Sequence, residues 1–373
     1  MPERPPRQKV TSAWRTAGLR SRGWIGRTLL VGLALLSPGC TTVGYYYQAA
    51  AGQWELMRAA RPIEEWVDDP ATPAELRVRL QAVRDIRVFA SRELGLPDNA
   101  SYRAYADLHR PFVVWNVVAA SEFSTHPRQW CFPFTGCVSY KGWFSAEAAE
   151  QAGEQIRAEG YDVFVYGVPA YSTLGWFADP VLNTYIRLPR QELARLVFHE
   201  LAHQVAYVAG DSTFNESFAT CVEQIGVRRW LDRNGTEQER VEFESMDRRK
   251  EDFVRLILDA RAELDRVYAG PAHADEMRRA KSKVFDETRA RYEELKRKWG
   301  GFAGYDRWFA KPLTNAHVAS VATYADAVPA FERLLGTLGG DLTRFYEEAR
   351  RLARADETER ARVLDLPVKT AGR

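Results

Sequence analysis

Apolar residues recur at helical spacing along most of the chain. Between residues 72 and 94 they lie three or four positions apart, which predicts a helix that is buried on one side. Two long charge-rich stretches, at about 237–268 and 274–299, follow the same period. The Gly270-Pro271 break between them predicts an antiparallel helix hairpin at about 237–299 that serves as scaffold or cover. Shorter stretches of the same kind predict helices at 45–61, 146–159, 328–338 and 342–353.

Strand composition is concentrated in the middle of the chain. Residues 112–118, 137–140 and 162–166 are rich in valine and aromatic side chains, which predicts a small sheet. Helical patterns lie on both sides of this region. The predicted fold class is therefore α+β and mainly helical.

One helical stretch carries chemistry as well as periodicity. His199 and His203, two of the six histidines, lie four residues apart with Glu200 between them. At 3.6 residues per turn both imidazoles lie on one helix face and can reach a single metal ion at about 2.0–2.1 Å. Apolar residues cover the rest of 196–206, and a buried histidine pair requires a partner such as a metal. The pattern predicts a zinc site; the alternative is a chance match, which the scarcity of histidine disfavours.

The third metal ligand is expected on a second helix. The first helix is predicted to continue to about residue 209 and to end at a turn at Gly210, and N-cap residue types at 211–213 begin the next helix. In an antiparallel helix hairpin, residues equally far from the turn lie at the same level. Glu216 is about as far beyond Gly210 as His203 is before it. Glu216 is therefore the predicted third ligand.

Two alternatives remain for this position. Thr213 followed by Glu216 has the spacing of a capping box, in which the glutamate would bind only the Thr213 amide. Glu223 is the competing ligand, although it lies two turns further on, about 10 Å along the helix axis. Metal binding by Glu216 is the preferred interpretation.

Three blocks of the sequence resemble one family. Residues 199–204 are HELAHQ, residues 215–219 are NESFA and residues 171–177 are YSTLGWF. Over almost all of its length after Cys40, the chain resembles the bacterial predicted-aminopeptidase lipoproteins, a gluzincin-type family with HELAHQ and NESFA blocks. The resemblance implies a zincin-like metallopeptidase domain at residues 40–373, with zinc as cofactor and a peptide as substrate. It implies the metal ligands His199, His203 and Glu216 and the catalyst Glu200.

The substrate cleft offers three further candidates. Zincin folds place a small sheet ahead of the metal-binding helix, and an edge strand pairs with the peptide, so residues 172–185 are the expected cleft wall. Within that wall, Trp176 is a candidate for a side-chain pocket and Asp179 for binding a substrate α-amine. Tyr324 is a candidate hydroxyl donor to the developing oxyanion. Each has the alternative of an ordinary turn, core or half-buried residue.

The beginning of the chain differs in kind from the rest. Basic residues, with Glu3 as the lone acid, precede an apolar run at 29–36 that is too short for an ordinary membrane span. The sequence Gly39-Cys40 resembles the cleavage site of bacterial lipoproteins, although Ser37 stands where leucine is usual. We expect a signal peptide at 1–39 and a lipid on Cys40; an uncleaved membrane anchor is the alternative.

Export determines the expected location and the interpretation of the other cysteines. Thr41, rather than aspartate, follows Cys40, which resembles the signal for sorting to the outer membrane, so we expect a lipid-anchored protein of the bacterial cell envelope that faces the periplasm. Cys131 and Cys137 flank a Pro/Gly turn, and in an oxidising periplasm they are expected to form a disulfide; two buried thiols are the alternative. The net charge of +2, with acids and bases interleaved, gives no indication of a nucleic-acid partner.

The predicted function is that of a membrane-tethered zinc peptidase that hydrolyses peptide bonds, an aminopeptidase by resemblance, with endopeptidase activity left open. The alternative is a noncatalytic zinc-containing envelope lipoprotein that acts in binding or scaffolding. The long hairpin and the tether suit that alternative. The presence of Glu200 favours the enzyme, because a structural zinc ion has no use for a general base.

Overall fold

The computed structural model describes residues 39–132, 136–322 and 327–365. Helices dominate, and in chain order they are α1 (Gly39–Ala59), α2 (Ile63–Asp68), α3 (Ala74–Arg92), α4 (Ala146–Ala158), α5 (Arg190–His203), α6 (Ser212–Asn234), α7 (Glu237–Ala269), α8 (Ala274–Lys298), α9 (Asp306–Phe309), α10 (Asn315–Ala322), α11 (Val328–Thr337), α12 (Leu342–Arg354) and α13 (Glu357–Leu364). The strands are β1 (Arg61–Pro62), β2 (Ala104–Ala106), β3 (Val114–Ser121), β4 (Trp130–Phe132), β5 (Gly136–Val138), β6 (Lys141–Trp143), β7 (Tyr161–Val168) and β8 (Val181–Leu182). The predicted class, α+β and mainly helical with small sheets, is confirmed.

The chain divides into two units, Met1–Ala50 and Ala51–Arg373. Of the first unit the structure describes only residues 39–50, which form the beginning of α1. The expected signal peptide therefore lies, up to residue 38, outside the described residues. Within the described ranges, no helix combines the length and the apolar character needed to cross a membrane.

The second unit contains an antiparallel sheet in the order β6-β3-β7. Alternate residues of β3 point to opposite faces, so Val117 packs with α4 and Val118 packs with α10. On the α10 face, Asn116 lies opposite Gly142 of β6 and Tyr166 of β7. This row places a buried amide and a tyrosine on the face of the sheet that Val118 shares.

The expected cleft wall at 172–185 differs from the prediction. Residues 172–180 contain no strand, and only Val181–Leu182 is extended. Strand β8 is buried and pairs in parallel with β2, which pairs in antiparallel with β1. The apolar residues Val181, Leu182 and Tyr185 are buried in the core, and the residues before them form a loop rather than an edge strand.

Helices α5 and α6 lie side by side in the main hydrophobic core. Phe198 on α5 is fully buried, and a Cβ atom added to Gly226 of α6 would come within 2.8 Å of its ring. Glycine at this position therefore allows the two helices to approach closely. Phe218 of α6 adds a second fully buried ring to the same core.

Helix α5 ends at His203 and does not continue to residue 209 as predicted. The reason is a side chain: Asn215 of α6 accepts a hydrogen bond from the Val208 amide at 2.7 Å and donates one to the Val208 carbonyl at 2.8 Å. These two bonds take Val208 out of any helical pattern and hold the segment 204–211 as a turn. Gly210 lies in this turn with φ of 81°.

The hairpin predicted at about 237–299 is present as α7 and α8. Thr236 and Glu239 form a capping box at the start of α7. The second half of α7 packs against α8 and α9 in a separate core that includes Phe253, Leu264 and Tyr292. The first half instead contacts the main core through Phe243. Helix α7 therefore connects the separate core of the hairpin with the main core, which includes residues of α5, the helix that carries the two histidines.

Candidate metal centre

The two histidines of the HExxH pattern face each other at the end of α5. Their Nε2 atoms are 3.1 Å apart, and the rings meet edge to face with 4.7 Å between their centroids. The side chains are 18 % exposed in His199 and 7 % exposed in His203. The helical spacing thus has the predicted consequence, since both nitrogens point into one partly buried space.

Glu216 completes this group from the first turns of α6. Its Oε2 lies 3.3 Å from His199 Nε2 and its Oε1 lies 3.8 Å from His203 Nε2. The capping alternative is not what the structure has, because the N-cap of α6 is Asp211, whose side chain accepts from the Phe214 amide. The Asn215 side chain fixes the turn before the helix, which brings the neighbouring Glu216 to the level of the histidines.

The three side chains fit a metal ion. One ligand atom from each of His199, His203 and Glu216 lies within 4.8 Å of the others. Around a tetrahedral ion with bonds of about 2.0–2.1 Å, ligand atoms lie roughly 3.3 Å apart, close to the observed separations of 3.1, 3.3 and 3.8 Å. Two imidazole nitrogens and one carboxylate are also a donor set that zinc accepts. The residues present could therefore hold zinc.

The electrostatics of the group favour a positive charge at its centre. Burial, together with the charge on His199, lowers the pKa of His203 to about 4, so this imidazole is neutral near pH 7 and has a free lone pair. For His199, burial acts to lower the pKa, but the carboxylates of Glu216 and Glu223 outweigh it and raise the pKa well above its usual value. A cation in this space, whether a proton or a metal, is stabilised by the same carboxylates.

Glu223 is not placed as the competing metal ligand. It lies on the other side of the His199 ring, with Oε2 at 2.7 Å from Nδ1. Glu223 lies about two helical turns beyond Glu216 on α6, and this distance along the helix axis places it on the far side of the His199 ring. From the sequence, Glu223 was considered only as an alternative metal ligand to Glu216. In the structure it contacts the second ring nitrogen of His199.

Glu200 lies beside the histidines in a half-buried position. Burial raises the pKa of its carboxyl to about 7, although the charge on His199 and a hydrogen bond from the Ser172 side chain act in the opposite direction. Ser172 belongs to the loop that replaces the expected cleft wall. Ser172 therefore links this loop to the general-base candidate, a contact that no sequence pattern indicates.

Asp179, the candidate for binding a substrate α-amine, braces this loop from a buried position. The residue is 2 % exposed. Its carboxylate accepts hydrogen bonds from the Thr173 amide at 2.8 Å and from the Thr173 hydroxyl at 2.9 Å, and its carbonyl accepts one from the Tyr102 amide at 2.7 Å. These bonds use the carboxylate to hold the loop, and a contact of Asp179 with a substrate α-amine stays a prediction.

Trp176 and Phe177 project from the same loop into solvent. Trp176 is 78 % exposed and Phe177 is 51 % exposed. Between them and Ser172 lies Gly175, with φ of 84°, and a Cβ atom added there would come within 3.3 Å of the Gln204 side chain. Two large apolar side chains thus lie exposed on a segment that also contacts Gln204 and Glu200.

Three tyrosines approach the centre from outside the two helices. Burial raises the pKa values of Tyr140, Tyr166 and Tyr207, and the negative charge of Glu216 adds to the effect for each. Tyr140 precedes β6, Tyr166 lies on β7 and Tyr207 lies in the turn after α5. Sequence reasoning missed all three, because they are far apart along the chain. Tyr324, the predicted oxyanion donor, lies outside the described residues.

The cysteine hairpin contacts the turn between the metal-binding helices. Cys131 of β4 and Cys137 of β5 lie opposite each other and are joined by a disulfide. A Cβ atom added to Gly136 would lie 2.7 Å from the amide nitrogen of Gly210. Cys221 is a buried free thiol in the main core. The side chain of Cys40 lies outside the described residues.

Comparison with known proteins adds one finding. A family model described as "Putative aminopeptidase" matches residues 44–364. That match includes α5, α6 and every residue of the metal-binding group. No curated protein and no solved structure matches the chain.

Proposed function

Since the chain belongs to the family described as "Putative aminopeptidase", we propose that it is a zinc-dependent peptidase that removes residues from the amino ends of peptides. The observation that carries the proposal is the convergence of His199, His203 and Glu216, whose ligand atoms lie within 4.8 Å of one another, with Glu200 adjacent in the same helix. A metal site built only for stability would have no use for that adjacent carboxylate.

The chemistry follows from the placement of Glu200. A zinc ion held by the two imidazoles and Glu216 would polarise the scissile carbonyl and lower the pKa of a water molecule. Glu200 is then the base that accepts the proton of the attacking water, and it delivers that proton to the leaving amine nitrogen. The Ser172 hydroxyl orients the Glu200 carboxylate through its hydrogen bond.

Substrate contacts are proposed for the loop and for a tyrosine hydroxyl. Trp176, with Phe177 beside it, is suited to an apolar side chain next to the cleaved bond, because both rings are exposed on the loop that reaches Glu200. A hydroxyl donor to the developing oxyanion is still required. Tyr324 remains our prediction for this donor. Tyr140 is a second candidate, because burial and the charges of both Glu216 and Glu200 raise the pKa of its hydroxyl.

The proposal is tested with the purified, zinc-loaded protein and a mixed peptide library. We expect cleavage that starts at free amino ends and is lost when the same peptides are N-acetylated. Glu200→Gln should retain zinc and the fold but lose nearly all turnover, because it removes the base that accepts the proton of the attacking water. Zinc content and circular dichroism of this variant are the matched controls.

Two results would contradict the proposal in different ways. Equal cleavage of free and acetylated peptides would indicate an endopeptidase. Undiminished hydrolysis by Glu200→Gln would mean that the activity does not come from this site. A noncatalytic zinc-containing envelope protein would then be the better description.

A further inference from the structure

Glu223 binds the ring nitrogen of His199 that points away from the other ligands. His199 Nε2 faces His203 and Glu216, while Nδ1 lies 2.7 Å from Glu223 Oε2. A carboxylate in this position holds the Nδ1 proton and leaves the Nε2 lone pair for a metal. Glu223 therefore acts on the imidazole and not on the ion.

Two cations from other helices hold the second oxygen of Glu223. Lys250 Nζ on α7 lies 3.4 Å from Oε1, and Arg195 Nη1 on α5 lies 3.8 Å from it. The Glu223 side chain is only 5 % exposed, so its charge requires such partners. A carboxylate on α6 is thus fixed from two sides.

Helix α7 also fixes one of these cations. Arg195 Nη2 lies 2.5 Å from Asp247 Oδ1, and the guanidinium packs over the Phe243 ring at 4.7 Å. Asp247, Phe243 and Lys250 all lie on α7, at spacings that place them on one face. The first half of α7 therefore carries three side chains that contact Arg195 or Glu223, next to the metal centre.

The second histidine has no comparable support. Among the described residues, none hydrogen bonds His203 Nδ1, although this atom is buried. The orientation of His203 thus depends on packing, whereas that of His199 depends on a chain of charged groups. Within the described residues, the hydrogen bonds that connect these charged groups to the metal ligands therefore run through His199.

We propose that α7 forms the outer wall of the metal centre: Lys250, together with Arg195 as held by Asp247, fixes Glu223, and Glu223 fixes the His199 ring for metal binding. These four are positioning residues, since none is among the three side chains whose ligand atoms converge. The inference rests on the proposed function in so far as that function requires a metal here. It gives the hairpin a role in metal affinity beyond that of scaffold.

The zinc dissociation constant, measured on the purified full chain by competition with a chelating dye, tests this. Glu223→Gln should weaken zinc binding about 10- to 100-fold, the range typical of groups that orient a metal-bound histidine. Lys250→Met should weaken it only about two- to fivefold, because the lysine side chain is 49 % exposed and its charge is screened. Lys250→Arg should retain the wild-type constant.

The double variant Glu223→Gln/Lys250→Met separates positioning from general stability. If Lys250 acts through Glu223, the double variant binds zinc no more weakly than Glu223→Gln alone. Arg248→Met, on the same helix but paired among the described residues with the exposed Glu244, is the matched control and should bind zinc as wild type does. Should Glu223→Gln not fold, the comparison of Lys250→Met with Lys250→Arg and with Arg248→Met still decides.

A wild-type zinc constant in Glu223→Gln, or the same Lys250→Met effect with and without Glu223, would overturn the inference and leave the peptidase proposal intact. Conversely, a wild-type chain that binds zinc with the expected pattern of variants but cleaves no peptide would refute the peptidase and not this role of α7.

Discussion

Glu216 and Glu223 are two carboxylates of one helix with different tasks. Both contact His199, but Glu216 Oε2 lies 3.3 Å from Nε2 and Glu223 Oε2 lies 2.7 Å from Nδ1. Glu216 also reaches His203, and Glu223 does not. The ring of His199 separates a candidate metal ligand from a group that orients it, and the two should differ when each is replaced.

Removal of the Glu216 charge should abolish metal binding. Glu216→Gln is expected to lose more zinc affinity than the roughly 10- to 100-fold typical of an orienting group, and to lose activity with it. The matched control is Asp211→Ala, which removes the observed N-cap of the same helix. That variant should cost about 0.5–2 kcal/mol of stability and keep its zinc.

Metal analysis after dialysis and thermal unfolding distinguish the two variants. One zinc ion per chain in dialysed Glu216→Gln would remove Glu216 from the proposed ligand set. A loss of zinc in Asp211→Ala as large as in Glu216→Gln would show that the helix start, and not the carboxylate, determines metal binding.

Among the secondary-structure elements, the turn between α5 and α6 sets the geometry of the centre. Asn215 holds it from inside through Val208. The β4–β5 hairpin packs against the same turn, because Gly136 lies so close to Gly210 that there is no room for a side chain. A short turn held from both sides keeps the ligands of two helices at one level.

Gly136→Ala should therefore affect the metal centre, and Gly160→Ala should not. Both glycines have positive φ, 73° and 90°, so alanine costs roughly 1–2 kcal/mol of backbone strain at either position. Only at Gly136 would the new Cβ meet backbone, at 2.7 Å from Gly210 N, whereas at Gly160 nothing lies within 4 Å. The resulting overpacking should add about 1–3 kcal/mol and weaken zinc binding.

Denaturant unfolding and zinc titration of the two variants provide the comparison. Equal losses of stability, with unchanged zinc affinity in Gly136→Ala, would mean that the hairpin does not restrain the turn.

For the whole molecule, the location remains our proposal from the sequence: a lipid on Cys40 tethers the chain to the bacterial envelope. The basic leader and the apolar run at 29–36 support it. Cys40→Ser should abolish acyl labelling and stop processing of the precursor, because the thiol is the group that is acylated. Metabolic labelling with a fatty acid and mass determination of the mature amino end measure this.

A wild-type protein that carries no lipid, and whose mature form begins upstream of Cys40, would refute the tether. The metal-centre proposals would be unaffected, because their residues lie in the unit Ala51–Arg373.

Features that depend on local periodicity could be predicted from the amino-acid sequence. Helical spacing predicted α3, α4, α7 and α8 almost to the residue, since an apolar stripe at 3.6 residues per turn has one way to be buried. The same spacing placed His199 and His203 on one face. Glu216 lies near them, as its distance from Gly210 predicted, although α5 ends at His203 rather than near residue 209.

Tertiary structure alone decided the features that join distant segments. Asn215 bonds the backbone of Val208 and so keeps residue 208 out of the helix that was predicted to reach residue 209. Contacts of Glu223 with Lys250, and of Glu200 with Ser172, depend on how α7 and the loop at 172–179 pack on the two helices. Their residue types are compatible with many surface positions. Because a charged or hydroxyl side chain acquires its role from the partner that packing supplies, these assignments required the fold.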